Sequence, residues 1–258
     1  ALLGEGSMIS VCIATYNGAE FIYQQISSIL YQLNAGDEII ISDDGSTDNT
    51  LEIIESFNDG RIKLYNHQKK EIKGSNVEKN ISYVSNNIQN ALSKAKGDII
   101  FLADQDDIWL EGRIDKVKKY FTDKQKPTVV VCDCTIVDAN NNIIKKSYFE
   151  TINPSSSILN IIIKNPYLGC CMCFNKALVA KIFPFPYYSL GHDLWIGLIG
   201  KLTGNVHFID DQLVLYRRHG LTVTKSGGTS TNSLWFKIKY RIKLTMIIFR
   251  KALTINKH

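Results

Sequence analysis

The sequence predicts an α/β protein built on a mainly parallel sheet with helices on both faces. Two observations carry this. Short apolar runs alternate with segments of helical periodicity between residues 9 and 104, and acidic clusters fall where two of those runs end. The chain has 258 residues and 45% hydrophobic content, enough for one large core, and no Pro/Ser/Gly-rich linker divides it.

Ile9-Ser10-Val11-Cys12-Ile13-Ala14-Thr15 reads as the first strand, closed by Tyr16-Asn17-Gly18. Phe21, Ile22, Ile26, Ile29, Leu30 and Leu33 recur at helical spacing, and Asn34-Ala35-Gly36 stops that helix. Glu38 to Ser42 is the second strand, and Asp43-Asp44-Gly45-Ser46-Thr47-Asp48 leads into a helix with Leu51, Ile54 and Phe57. The alternation continues through a strand from Ile62 to Tyr65, a helix with Ile81, Val84, Ile88, Leu92 and Ala95, and a strand from Ile99 to Ala103. Connections this short, between elements alternating this regularly, imply right-handed crossovers and a Rossmann-like first half. No GxGxxG follows the first strand, which weakens a dinucleotide reading.

The second half is less regular. A strand at Val129 to Cys134, a short helix at Ile158 to Ile163, a strand at Cys170 to Phe174 and a helix at Leu194 to Leu202 are expected. The segment from Leu234 to Leu253 alternates apolar and basic residues like a strand. Its length, and the row Leu234, Ile238, Ile242, Thr245, Phe249 and Ala252, favour a basic amphipathic helix. The expected layout is a remnant of expression engineering at 1–7, a catalytic domain at 8–220, and a helical tail at 221–258. The domain splits into a donor half, 8–110, and an acceptor half, 111–220.

Composition narrows the function classes. No run reaches the ~18 apolar residues of a membrane span, so a cytoplasmic body is expected. Cys12, Cys132, Cys134, Cys170, Cys171 and Cys173 lie in apolar surroundings, as reduced core thiols do, and no paired CxxC suggests zinc. Ten of the 30 Lys and Arg lie beyond Asp211 but none of the 25 acids, leaving −5 before that point and +10 after it. With Trp235, Phe236, Met246 and Phe249 among these cations, the tail suits peripheral contact with an anionic membrane, at the inner face of the plasma membrane. Packing on the body or on a second subunit, as in a homodimer, is the alternative. No nucleic-acid partner is expected.

The chemistry centres on Asp104-Gln105-Asp106-Asp107. Three carboxylates in four positions repel one another unless a cation or a ring of donors sits among them. Two acids flanking one residue suit Mg²⁺ or Mn²⁺ with room left for phosphates. Asp side chains capping a helix from Ile108 to Tyr120 are the structural alternative. Asp43 and Asp44 end a neighbouring strand, so a parallel sheet brings both clusters to one edge, where open α/β sheets bind ligands.

Thr15-Tyr16-Asn17, Asp43 to Asp48, Asp104 to Trp109, His192-Asp193 and Tyr216-Arg217-Arg218-His219, in this order, resemble the family 2 inverting glycosyltransferases of GT-A fold. Within that family they look most like the rhamnosyltransferase-like group of bacterial surface-polysaccharide synthesis. The resemblance implies a nucleoside-diphosphate sugar donor, dTDP- or UDP-linked, and a saccharide or polyprenyl-linked acceptor. Thr15, Tyr16, Asn17, Asp43 and Asp44 would face the donor's nucleoside, with Asp44 the stronger candidate for the base. Asp104 and Gln105 would lie along the donor, Asp104 at the ribose or a metal-bound water. Asp106 would bind the metal with His219 beside it, and Arg217 and Arg218 would offset phosphate charge.

Asp193 takes the place of the family's catalytic base, although His192 stands where a glutamate is usual. By the same analogy the loop containing Gly169 borders the acceptor, and His192 is assigned to the acceptor side as well. Trp109 and Trp195 are candidates for stacking on sugar rings. Competing readings are a nucleotidyltransferase, which would want phosphate contacts early in the chain, and a non-catalytic nucleotide-sugar or lipid-binding subunit, which would need neither Asp106 nor Asp193.

Overall fold

The computed structural model describes residues 6–69, 71–72, 75–155, 157–186, 190–219, 241–242 and 244–251. The first half runs β1 (Ile9–Thr15), α1 (Ile22–Leu30), β2 (Glu38–Asp43), α2 (Thr50–Ser56), β3 (Ile62–Asn66), α3 (Asn76–Leu92) and β4 (Ile99–Asp104). β1 and β2 are almost wholly buried, as strands covered on both faces must be. α1 turns Ile22, Ile26 and Ile29 inward at one-turn spacing. α3 begins with a capping box in which Ser75 and Glu78 satisfy each other's backbone N–H.

The second half runs β5 (Ile108–Trp109), α4 (Arg113–Lys118), β6 (Thr128–Val137), β7 (Ile143–Lys145), α5 (Phe149–Ile152) and α6 (Ile158–Ile163). A 3₁₀ turn at Gly169–Cys171 leads into β8 (Met172–Asn175), α7 (Lys176–Ile182), α8 (His192–Thr203) and β9 (Asn205–Arg217). The strands form one sheet in the order β3-β2-β1-β4-β8-β6-β9-β5, with β7 on β6. β3, β2, β1 and β4 are parallel, as expected, and β9 is parallel to β6. β8 enters antiparallel between β4 and β6 and joins the two halves.

Two sequence expectations change here. The helix expected from Ile108 is only α4, because Ile108 and Trp109 pair with Leu215 and Val214 of β9 instead. Trp109 is therefore core: its ring lies 5.1 Å from Phe101, with the Arg113 guanidinium 4.2 Å above it. Trp195 is also buried, its indole N–H donating to the Ile182 carbonyl at 2.8 Å. Neither ring faces a sugar. All six cysteines are buried and free.

Of the tail, residues 241–242 and 244–251 are helical, which settles strand against helix there. Leu244 and Ile248 join the core. Residues 220–240, with Trp235, Phe236, Lys237 and Lys239, lie outside the described residues, as do Lys243 and 252–258. Among the described residues no helix is long and apolar enough to cross a membrane.

Glu38 clamps the end of the sheet away from the acidic loops. Its carboxylate accepts from the Ser10 hydroxyl at 2.6 Å, the Lys63 ammonium at 2.5 Å and the Lys96 N–H at 2.8 Å, tying β1, β3 and the approach to β4 to β2. Burial disfavours its charge, but these donors outweigh burial and hold the carboxyl below its ordinary value of 4.5. A folded-state value below the unfolded one contributes stability that is present above pH 4.5 and lost as pH falls through the folded value. Glu38→Gln should lower unfolding free energy at pH 7 by about 2 kcal/mol. Urea titrations should show this loss shrinking toward acid pH.

Candidate active site

Thr15, Tyr16, Asn17, Asp43, Asp44, Asp104 and Gln105 lie at the C-terminal ends of β1, β2 and β4. The loop after β1 is held by side chains from its neighbours. Four successive amides donate to side chains: Tyr16 to Gln105, Asn17 to Ser46, Gly18 to Thr50 and Ala19 to Asp48. These four N–H groups are therefore taken up by side chains. Gln105 returns its own NH₂ to the Tyr16 carbonyl at 3.2 Å, so the loops after β1 and β4 are clasped in both directions. A Cβ at Gly18 would strike the Gln105 side chain, which is why glycine sits there. Asn17 has φ of 49°, a left-handed turn residue whose side-chain oxygen accepts from the Thr47 N–H at 2.8 Å.

Asp43 and Asp44 divide their labour. Asp43 Oδ1 accepts from the Thr15 and Ser46 hydroxyls, and Oδ2 from the Gly45 and Ser46 N–H groups. Its capacity is used up inside the loop, so Asp43 shapes the site and does not contact the nucleoside. Asp44 has its Oδ1 2.6 Å from His67 Nδ1 and its Oδ2 4.0 Å from Lys69. Burial raises its pKa, opposed by His67 and Lys69. The Lys69 ammonium also lies 3.6 Å from the centre of the Tyr16 ring. A cavity of about 400 Å³ opens beside this cluster, lined by His67, Asn86, Gln89 and Asn90. His67 and Lys69 escaped the sequence reading; the signal was their place just past the end of β3, on the same sheet edge.

On the β4 loop, Asp106 Oδ2 is 2.8 Å from His219 Nε2. Asp107 is fully buried and accepts from the Arg217 N–H at 2.9 Å. Oxygens of Asp104 and Asp107 and the Cys170 sulfur lie within 4.8 Å of one another, a juxtaposition that spacing along the chain does not show. Asp104, close to all of these, is pushed up to about 7 by burial and by the charges of Asp106 and Asp193.

Arg217 departs from expectation. It is 1% exposed, and its guanidinium donates to the Asp106 carbonyl at 2.7 Å and to Gln24 and Asn141 at 2.8 Å, over the Phe21 ring. It braces the metal loop from behind and cannot reach a phosphate. Arg218 is only half-buried, and its Nε and Nη2 have no hydrogen-bond partner.

Asp193 is the second residue of α8, and Gly191 is the N-cap, so Asp193 is no helix cap. Its Oδ1 accepts from the Leu194 N–H at 2.7 Å and its Oδ2 from the Asn165 NH₂ at 3.2 Å. Beside it, burial holds the His192 imidazole below its ordinary value, and its Nε2 is enclosed without a partner against Gly169. A Cβ at Gly169 would lie 2.7 Å from that nitrogen. Gly169→Ala should shift His192 and the start of α8. A drop of roughly tenfold in kcat with little change in melting temperature is expected, and steady-state kinetics beside a thermal melt check it.

A parallel β3-β2-β1-β4 sheet, continued by antiparallel β8 and carrying acidic clusters after β2 and β4 on one edge, is the GT-A arrangement. The chain belongs to glycosyl transferase family 2, whose family model matches residues 10–183. It is 32% identical over 236 residues to glycosyltransferase GlyG of Streptococcus pneumoniae serotype 4, covering 85% of this chain and 73% of GlyG. It is 28% identical over 193 residues to the Escherichia coli UDP-Glc:alpha-D-GlcNAc-diphosphoundecaprenol beta-1,3-glucosyltransferase WfgD, covering 74% of this chain and 70% of WfgD. Among solved structures, S. aureus TarS in complex with UDP-GlcNAc aligns with a TM-score of 0.63 at 18% identity. That alignment covers 90% of this chain, which spans 64% of the TarS chain.

Proposed function

We propose that this chain transfers a sugar from a uridine- or thymidine-linked diphosphate donor to a saccharide on a lipid-linked acceptor, with a divalent metal and inversion at the anomeric carbon. The observation that carries the reading is the placing of Asp44, Asp104 and Asp106 at the C-terminal ends of β2 and β4, on either side of β1, with His219 Nε2 2.8 Å from Asp106. WfgD, by its name, takes a UDP-linked glucose and a diphosphoundecaprenol-linked sugar, a donor and an acceptor of the same kinds. A rhamnosyl donor has no residue of its own at this site, so the sugar is left to a donor screen.

The residues fit a hard cation. Asp106 offers a carboxylate oxygen and His219 an imidazole nitrogen, already 2.8 Å apart, and Asp104 adds a carboxylate nearby. Mn²⁺ or Mg²⁺ held there supplies Lewis-acid stabilisation of the leaving diphosphate. Asp44 accepts from the nucleobase while Tyr16 and Lys69 flank it. Asp193 takes the acceptor hydroxyl's proton as the new bond forms. A base on one side of the sugar and a leaving diphosphate on the other suit a single in-line displacement, which inverts the configuration. Nucleotidyl transfer is disfavoured because the amides of the first loop are already bonded to side chains.

Calorimetric titration with UDP, UDP-glucose, UDP-GlcNAc and dTDP-rhamnose, with and without Mn²⁺, tests the reading. Asp106→Ala should weaken Mn²⁺-dependent binding by roughly 10- to 100-fold. Equal affinity of parent and variant in the presence of Mn²⁺ would remove Asp106 from the metal.

A further inference from the structure

We propose that α6 and the C-terminal helix together form one docking face for an anionic lipid surface, and that this face lies beside the entrance to Asp193. The second half of the statement rests on the transfer to a lipid-linked acceptor proposed above.

α6 buries Ile161 but leaves Leu159 73% and Ile163 62% exposed. The C-terminal helix buries Leu244 and Ile248 against the body and leaves Ile242, Met246 and Phe249 between 52% and 65% exposed. Neither helix therefore spends its apolar residues on the core alone. Arg241 joins them, its guanidinium donating to the Ile163 carbonyl at 3.2 Å, so the two apolar sets adjoin. Clustered exposed apolar side chains of this size mark an interaction surface, whereas single ones do not.

Charge selects the occupant. Among the described residues, Lys164 follows directly on Ile163, and Arg241, Arg250 and Lys251 stand on the C-terminal helix with no acid among them. Apolar side chains set among Lys and Arg are what an interfacial helix presents to anionic headgroups. A second copy fits poorly, because a two-fold contact would set this basic face against itself. The face also has a fixed relation to the chemistry. Asn165, two residues beyond the end of α6, donates to Asp193, and the Lys251 ammonium lies 5.8 Å from the centre of the Trp195 ring, two residues beyond Asp193. A bilayer under this face would present lipid-linked saccharides beside the candidate base.

Flotation of the full chain with vesicles of phosphatidylcholine, alone or mixed with phosphatidylglycerol, tests the surface without substrate, and so independently of transfer. The parent should float with the anionic vesicles only, and less so in high salt. L159D/I163D and I242D/M246D/F249D should each lower recovery roughly tenfold, while melting temperature and UDP binding stay as in the parent. Equal recovery of parent and both variants overturns the proposal, as does failure of the parent to float. Sedimentation showing a dimer that these substitutions dissociate, without vesicle binding, assigns the face to a second copy instead. If flotation behaves as expected but Asp193→Asn transfers normally, the lipid surface stands and the base assignment fails.

Discussion

Asp193→Asn should abolish sugar transfer, with kcat falling roughly 10³-fold, while donor binding measured by calorimetry stays within about twofold of the parent. The amide keeps an oxygen for the Leu194 N–H and keeps the size of the side chain, so α8 still starts in place. What it loses is the ability to accept a proton. The nucleoside and metal groups lie on β2, β4 and the end of β9, and none of them bonds to Asp193, so donor affinity has no reason to collapse. Normal turnover by this variant would show that the proton goes elsewhere and would reopen the role of His192.

The second large effect is on stability. Arg217→Met should lower the unfolding free energy by about 1 to 3 kcal/mol, because the Asp106 carbonyl and the side chains of Gln24 and Asn141, on three different segments, lose their shared donor. Arg217→Lys should recover little of it. A lysine has one head, whereas the guanidinium reaches the Asp106 carbonyl, Gln24 and Asn141 at once. Denaturant melts with and without Mn²⁺ and UDP measure both parts of the effect. If Asp106 loses its posture along with the fold's brace, the ligand-induced gain in stability shrinks as well.

These two residues mark where the sequence is readable and where it is not. The helix that Asp193 opens was legible because its apolar residues recur at helical spacing. The first-half strands were legible too: buried parallel strands are continuous apolar runs, and their ends are marked by turn residues. Arg217 was misread because a cation in a charged tetrad reads as solvated or phosphate-facing, and burial is decided by partners far away in sequence. β5 was hidden because two residues carry no period, and only their pairing with β9 defines them. Asp43 and Asp44 look equivalent as letters. Their difference comes from four loop donors that converge on one and from His67, a strand away, that meets the other.

The mutual clasp between Tyr16 and Gln105 has a consequence for modularity. The nucleoside loop and the metal loop are separate in sequence but are one part mechanically, with Gly18 leaving the room in which Gln105 sits. Grafting the first loop from a relative with a different donor, without the matching residues at 18 and 105, should yield a misfitted joint and no new preference. Exchange between relatives at this site has to move in coordinated sets of distant positions.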